Sequence, residues 1–280
     1  MKILITGHKG MLGMELMGFL SAEHCVSGID LDEADITDRA QIIQAIAARS
    51  PQIVVHTAAY TDVDGCEQHP DLAYKVNAIG TQNVALACGR LNAAMVYLST
   101  DFVFNGRKRQ PYIEFDEPDP LSVYGRSKLA GEMYVRALLR KWFIVRTSWL
   151  FGKHGKNFVE TILRLAGEQD ELRVVNDQIG SPTYAGDLVP EMTRLIATEA
   201  YGIYHIANHG SCSWFDYARR ILEWAHVRNV RVVPISTEAL GRPAPRPAFS
   251  VLRNYCMELT IGDRMRSWEE GLVDYLSLER

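Results

Sequence analysis

What this 280-residue sequence lacks narrows it first. It has no basic run, and its 30 Lys and Arg are outnumbered by 34 Asp and Glu, for a formal charge of -4. A surface built to neutralise a phosphodiester backbone needs the opposite balance, so nucleic acid is not an expected partner. No apolar run approaches the roughly 20 residues of a membrane-spanning helix; the longest are strand-sized, and no membrane association is expected. The start, Met1-Lys-Ile-Leu-Ile-Thr6, has no small-residue cleavage site and enters directly on a strand-like run, which predicts a cytoplasmic protein. Five cysteines (Cys25, Cys66, Cys88, Cys212, Cys256) are scattered, odd in number and form no Cys-x-x-Cys. Reduced structural thiols are expected, not disulfides or zinc ligands. No repeat, low-complexity segment or metal-ligand constellation is visible.

The rest is an ordinary globular balance, 47% hydrophobic and 23% charged, long enough for one large domain or a large plus a small one. Lys2–Thr6 reads as a buried parallel strand. Gly7-His-Lys-Gly10-Met-Leu-Gly13 follows, and then a helical pattern with apolar Met11, Leu12, Leu16, Phe19 and Leu20. Strand, glycine-rich turn and helix in that order is the context a dinucleotide fingerprint requires. Glycines allow a tight turn and close approach of a pyrophosphate, and the helix N-terminus offers free N–H groups and a positive dipole end. The next strand, Cys25–Ile29, ends at Asp30, placed to accept hydrogen bonds from an adenosine ribose; an ordinary strand-end turn carboxylate is the competing reading.

The alternation continues. Asp35 to Asp38 caps a helix reaching about Arg49, Pro51–His56 is a third strand, a long helix spans roughly Pro70 to Leu91, and Ala93–Leu98 is a fourth strand that delivers Ser99, Thr100 and Asp101. The polar, proline-bearing stretch from Gly106 to Pro120 is expected to form a loop able to cover a site. Tyr124 and Lys128 are four apart, on one face of a helix running to about Arg140. A phenol has a pKa of roughly 10; a nearby ammonium lowers it, and such a pair can protonate a carbonyl oxygen while hydride reaches the carbon. After a fifth strand, Trp142–Thr147, the rhythm breaks. The expectation is an α/β protein with a Rossmann-like, doubly wound parallel sheet in residues 1–150 and a smaller α/β substrate-binding lobe in residues 151–280, interwoven with the first domain.

These motifs together resemble the extended short-chain dehydrogenase/reductases, and within them the dTDP-4-dehydrorhamnose reductases, over nearly the whole length. The broad level rests on the glycine fingerprint, Asn77, Tyr124 and Lys128. The narrower level rests on rarer strings: Ser99-Thr-Asp-Phe-Val-Phe104, Leu129-Ala-Gly-Glu132, Arg146-Thr-Ser-Trp149, Asn157-Phe158, Asp177-Gln-Ile-Gly-Ser-Pro-Thr183, Ser213-Trp214, and Arg246-Pro247 with Ser250. The resemblance implies NAD(P)H-dependent reduction of the 4-keto group of a dTDP-4-keto-6-deoxy sugar by a monomer or homodimer. Asp101 is followed by Phe102, where similar 4,6-dehydratases carry a Glu that helps remove water. Another nucleotide-sugar 4-ketoreductase remains an alternative. So does a non-catalytic NADP-binding subunit resembling the regulatory subunit of methionine adenosyltransferase, although intact Thr100, Tyr124 and Lys128 argue against it.

The resemblance also implies roles. Tyr124 donates the proton, Lys128 tunes it and binds the nicotinamide ribose, and Thr100 orients the ketone. The cofactor is expected against Gly7, Lys9, Gly10, Met11, Leu12 and Gly13, then Asp30, Asp35 and Ile36, then Ala58, Ala59 and Tyr60, with Asn77, Ser99, Tyr124 and Lys128. Substrate is expected against Val63, Thr100, Asp101, Tyr124, Trp149, Asn157 and Arg246, whose guanidinium fork suits a pyrophosphate. For Trp149 a sugar-facing ring and plain core packing stand as equal readings. Lys9 would favour a 2′-phosphate and Asp30 would favour NADH, so both cofactors remain open. Glu15 matches a family position on the first helix, but no partners for a metal are apparent and none is expected.

Overall fold

The computed structural model describes residues 1–278. The first half runs β1 (Lys2–Thr6), α1 (Met11–Leu20), β2 (Cys25–Ile29), α2 (Arg39–Arg49), β3 (Ile53–His56), α3 (Val63–Gln68), α4 (Pro70–Tyr74), a π-helical turn (Lys75–Gly80), α5 (Thr81–Leu91), β4 (Ala94–Thr100), a 3-10 turn (Asp101–Val103), α6 (Val123–Leu138) and β5 (Trp142–Thr147). The second half runs β6 (Leu150–Phe151), α7 (Phe158–Glu168), β7 (Glu171–Val175), β8 (Ile179–Gly180), β9 (Thr183–Tyr184), α8 (Ala185–Ile196), β10 (Gly202–His205), β11 (Cys212–Ser213), α9 (Trp214–Trp224), β12 (Arg231–Ile235), α10 (Thr237–Leu240), α11 (Tyr255–Thr260) and α12 (Trp268–Leu278).

Six strands form one parallel sheet in the order β10-β5-β4-β3-β1-β2. The fold is the α/β, Rossmann-like architecture expected. β3 and β4 are buried at every residue, which is why they read as unbroken apolar runs and not as alternating ones. One face of the sheet is covered by α1 and α8 through Leu12, Leu16, Leu20, Leu188 and Met192. The other is covered by α2, α5 and α6 through Ile42, Ile46, Val84 and Val135. Each fully buried Leu or Ile contributes roughly 1.5–3 kcal/mol by leaving water. Local chemistry sets the helix ends. The Asp38 carboxylate accepts from Gln41 N at 3.0 Å to start α2, the Ser122 hydroxyl accepts from Gly125 N at 3.1 Å to start α6, and Asn92 ends α5 in the left-handed region.

Three differences from the sequence reading matter for the site. The long helix expected from Pro70 to Leu91 is interrupted by the π turn that carries Asn77. β4 continues through Ser99 and Thr100, because Ser99 pairs with Arg146 and Thr100 with Thr147 on β5. The loop Gly106–Pro120 contributes nothing to the main cleft. Tyr112 stacks on Phe104 at 4.2 Å, and Glu114 accepts from His205 N and Cys256 N, so the loop is pinned to the far edge of the sheet. β10, the strand at that edge, comes from beyond residue 150. The second half has its own apolar core, in which α7, α9 and α12 contribute Val159, Tyr217, Ile221 and Leu272. Among the described residues no helix is long and apolar enough to cross a membrane.

Two histidines are buried within or beside the sheet. His56 Nδ1 hydrogen-bonds Thr6 Oγ1 at 2.6 Å and Nε2 hydrogen-bonds Thr81 Oγ1 at 3.1 Å; desolvation, then the Lys128 charge, lowers its pKa to about 3. His205 is lowered to about 3 by burial and by Arg146. Both are neutral in the fold and regain an ordinary pKa of about 6.5 on unfolding. Between those values the unfolded chain binds more protons, so stability rises with pH and is lost on acidification. Calorimetry from pH 7 to pH 4 should show Tm falling with acid, and His56→Gln should fall less steeply than the wild type. Parallel profiles for the two proteins would contradict the account.

Candidate active site

The parallel sheet reverses direction of growth between β1 and β3, and loops leaving the carboxyl ends of such strands part to leave a crevice. A cleft of about 1060 Å³ opens there. Its wall holds the loop residues Gly7, Lys9, Gly10, Met11, Leu12 and Gly13; Asp30, Asp35 and Ile36 after β2; Ala58, Ala59 and Tyr60 after β3; Ser99, Thr100 and Asp101 at the end of β4; and Tyr124 and Lys128 on α6. Val63, Trp149 and Arg246 line it as well.

The glycine loop is built for close approach. A Cβ on Gly13 would lie 2.2 Å from the Gly7 carbonyl oxygen, so this position admits no side chain. A Cβ on Gly10 would meet only that same oxygen, at 3.3 Å, and otherwise faces open space. Gly10 caps α1 without a side-chain hydrogen bond, and the first turn of α1 carries no acidic residue. Free N–H groups, a positive dipole end and room beside Gly10 fit the pyrophosphate of a dinucleotide. Asp30 is engaged by the loop itself: Oδ2 accepts from Lys9 N and Oδ1 from Leu31 N, both at 2.9 Å. The Lys9 ammonium pairs with Asp32, one turn further on.

The reactive end of the cleft is dry. Lys128 is 3% exposed, its Nζ donates to the Leu98 carbonyl at 2.6 Å, and it lies 4.2 Å above the Tyr97 ring. Burial lowers its pKa to about 7, with Glu132 opposing. Tyr124 is half-buried against the edge of Phe102. Desolvation pushes its phenol above the ordinary value, Thr100 opposes, and Asp101 adds to the rise. The expectation that Lys128 lowers the pKa of Tyr124 is therefore corrected for this state, because dehydration dominates both groups and the ammonium is turned to Leu98. Thr100 Oγ1 donates to Asp101 Oδ1 at 3.0 Å and accepts from Phe102 N at 3.2 Å. Asp101 is buried with Oδ2 unpartnered, and desolvation raises it to about 6 against the Ser250 and Thr100 hydroxyls.

Two expected wall residues lie elsewhere. Asn77 brackets the Tyr60 peptide, accepting from Tyr60 N at 2.8 Å and donating to Tyr60 O at 3.0 Å, and it also donates to Ser127 on α6 at 3.0 Å. It shapes the end of β3 without touching the cleft. Asn157 caps α7, accepting from Glu160 N at 3.0 Å and donating to Gly152 O at 2.9 Å. Arg246 reaches the wall, but its fork is bidentate to Asp64 at 3.0 Å on both arms. Trp149 lines the cleft and stacks on Trp214 at 3.4 Å, so one ring is both wall and packing partner. Residues not foreseen as wall include Phe102, Trp214, Ser148 and Lys156. Phe102, Ser148 and Trp214 each lie in one of the rarer strings, whereas Lys156 carried no signal. Glu15 lies 3.7 Å from both Lys153 and His154, which makes it a surface ion-pair acceptor.

A family model described as the RmlD substrate binding domain matches residues 1–280. The spore coat polysaccharide biosynthesis protein SpsK of Bacillus subtilis is 43% identical over 98% of this chain and 96% of its own length. The dTDP-4-dehydrorhamnose reductase of Mycolicibacterium smegmatis is 39% identical over 98% of this chain and 84% of its own. Among solved structures, the dTDP-4-dehydrorhamnose reductase of Bacillus anthracis in complex with NADP superposes with a TM-score of 0.97 at 46% identity, covering 100% of this chain and 99% of that one.

The two glycines separate binding from folding. Gly10→Val fills the space beside the helix N-terminus and should weaken NADPH binding roughly tenfold or more in a fluorescence titration, with a Tm lowered far less than by a change at Gly13. Gly13→Ala should lower Tm or prevent folding, because its methyl meets backbone. Unchanged affinity in Gly10→Val would remove the loop from the cofactor site.

Proposed function

The chain belongs to the RmlD substrate binding domain family, and on that premise we propose how its cleft works. The protein is an NAD(P)H-dependent oxidoreductase that reduces the 4-keto group of dTDP-6-deoxy-L-lyxo-4-hexulose, dTDP-4-dehydrorhamnose, to dTDP-L-rhamnose. The observation that carries the reading is the continuity of the cleft: one cavity joins the glycine loop to Thr100, Tyr124 and Lys128.

The bound dihydronicotinamide supplies the hydride. The protein's part is to orient the ketone, exclude water and deliver a proton. Thr100, fixed at the end of β4, hydrogen-bonds the C4 oxygen and holds the ketone in line. Tyr124 passes its phenolic proton to that oxygen as negative charge builds on it. The phenolate left behind is the form an adjacent ammonium favours, which is the service Lys128 performs once substrate and cofactor draw it toward the cleft. Trp149, backed by Trp214, offers a flat apolar face to the sugar, and Val63 packs beside it. Arg246, in the wall of the cleft, offers its guanidinium to the substrate's pyrophosphate. Asp30 and Lys9 sit together at the adenosine end, so both NADPH and NADH are accepted. We place the enzyme in the cytoplasm, as a monomer or homodimer.

Tyr124→Phe keeps the ring and should lose roughly two to four decades of kcat, the usual worth of a positioned acid, with NADPH affinity little changed. Lys128→Met should lose activity and cofactor affinity together. Near-normal turnover of a dTDP-4-keto-6-deoxy-L-sugar by Tyr124→Phe would assign the acid elsewhere. A wild type that binds NADPH tightly but turns over no nucleotide 4-keto sugar would favour a regulatory binding subunit. Separately, Asp30→Ala removes a carboxylate that repels a 2′-phosphate and should raise the NADPH/NADH ratio of kcat/KM. An unaltered ratio would show that this carboxylate does not face the ribose.

A further inference from the structure

Glu132 and Arg146, from the strings Leu129-Ala-Gly-Glu132 and Arg146-Thr-Ser-Trp149, have no part in the roles above. The structure joins them. Glu132 follows Tyr124 and Lys128 at four-residue intervals on α6, so all three lie along one helix face. Arg146 lies on β5 opposite Ser99, beside the Thr100–Thr147 pair. Arg146 Nε donates to Glu132 Oε1 at 2.9 Å and Nη2 to Oε2 at 2.7 Å, and Ser99 Oγ donates to Oε1 at 2.5 Å. Arg146 and Glu132 are each 1% exposed. One carboxylate thus ties the helix that carries the proton donor to both strands that end at the reacting ketone.

Glu132 also lies one turn beyond Lys128 on the same face of α6, near enough for its charge to act on the ammonium. The groups around Lys128 that titrate or carry charge are few. Tyr97 from β4 lies under the ammonium, and His56 from β3 is neutral and feels its charge. Tyr124 and Glu132 share its helix, Asp101 follows β4, and Arg146 from β5 is bound to Glu132. Of these, Glu132 is the anion that favours the protonated lysine, against a burial strong enough to bring it to about 7.

We propose that Glu132 is a positioning residue of the reduction: oriented by Arg146 and Ser99, its carboxylate keeps the buried Lys128 in its ammonium form beside Tyr124. Lys128 in turn is the residue assigned to the cofactor and the phenol in the proposed reaction. The inference rests on the reading of Tyr124 and Lys128 given above.

The test is a pH profile. In the wild type, kcat/KM for the dTDP-4-keto sugar should fall on the alkaline side as Lys128 loses its proton. Glu132→Gln keeps the shape and removes the charge. Its alkaline limb should move toward acid by roughly one unit, the low end of what a neighbouring opposite charge is worth. At pH 8 that is a loss of about tenfold relative to wild type, recovered near pH 6. The single variant leaves Arg146 buried and unpaired, so Glu132→Gln/Arg146→Met is measured beside it; with both charges gone the core stays neutral while the support of Lys128 is still missing. The double variant also loses the repulsion of Arg146, so its limb should move in the same acid-ward direction but by less. An alkaline limb that superposes on the wild type in the folded variants, with any loss equal at every pH, would reduce Glu132 to a packing residue and overturn the proposal. Wild-type turnover is measured first: its absence would sink the reductase reading itself, whereas a normal wild-type profile with unshifted variants sinks only this inference.

Discussion

The buried pair between Glu132 and Arg146 is the constraint on which the geometry of the cleft depends. Around it, the layer between the sheet and α5 and α6 is apolar, with Val84, Tyr97, Val135 and Ile144 in contact. Apolar contacts are non-directional, and a helix held by them alone tolerates small slides along the sheet. A bidentate guanidinium–carboxylate pair does not, because both hydrogen bonds must keep length and angle together. Such a pair adds little to stability, since dehydrating two charges costs about what their attraction returns. Its value lies in specifying one position for α6. Arg146 Nη1 is buried without a hydrogen-bond partner, which shows how far the fold accepts polar burial there.

The same dehydration sets the character of the reactive end. Lys128 is brought to about 7, Asp101 rises to about 6, and the Tyr124 phenol is pushed upward, each mainly by loss of water. All three are moved toward their neutral forms. A site of this kind penalises stray charge in the resting protein, while the low dielectric strengthens every hydrogen bond aimed at a charge that develops during reaction. The strand ends supply the aim. Thr100 is fixed by β4 pairing to β5, and the 3-10 turn that begins at Asp101 places Phe102 against the Tyr124 ring.

How much of this was legible in the sequence follows from the range of the interactions involved. The glycine loop, the strand-end positions of Asp30 and Thr100, and the shared face of Tyr124 and Lys128 depend on neighbours within one or two turns, and periodicity reports those. Asn77 was misplaced because a residue type carries no direction: its amide is turned to the Tyr60 peptide by a π turn that no propensity announces. The loop Gly106–Pro120 read as a cover because it is polar and proline-bearing, yet Tyr112 and Glu114 anchor it to residues more than ninety positions away. The pKa balance of Lys128 was beyond reach for the same reason, since burial is a tertiary property. Spacing on a helix tells which side chains meet, not how much water surrounds them.

The far rim of the cleft shows how the second half of the chain is coupled to the first. Asp64, on α3, accepts from Arg246 with both oxygens, from Arg242 Nη1 at 3.0 Å and from Ala244 N at 3.1 Å. One carboxylate therefore draws the whole Arg242–Arg246 loop onto the helix that carries Val63. Two guanidiniums on one carboxylate leave a net positive charge at the rim, beside Trp149 and Trp214 in the wall. Charge at such a rim acts at a distance on an approaching anion and is screened by salt, whereas the stacked indoles act only at contact. On the proposed function, attraction of a pyrophosphate and selection of what it carries would fall to different residues. The division lets the loop be tied down without being neutralised, which a one-to-one ion pair would not allow.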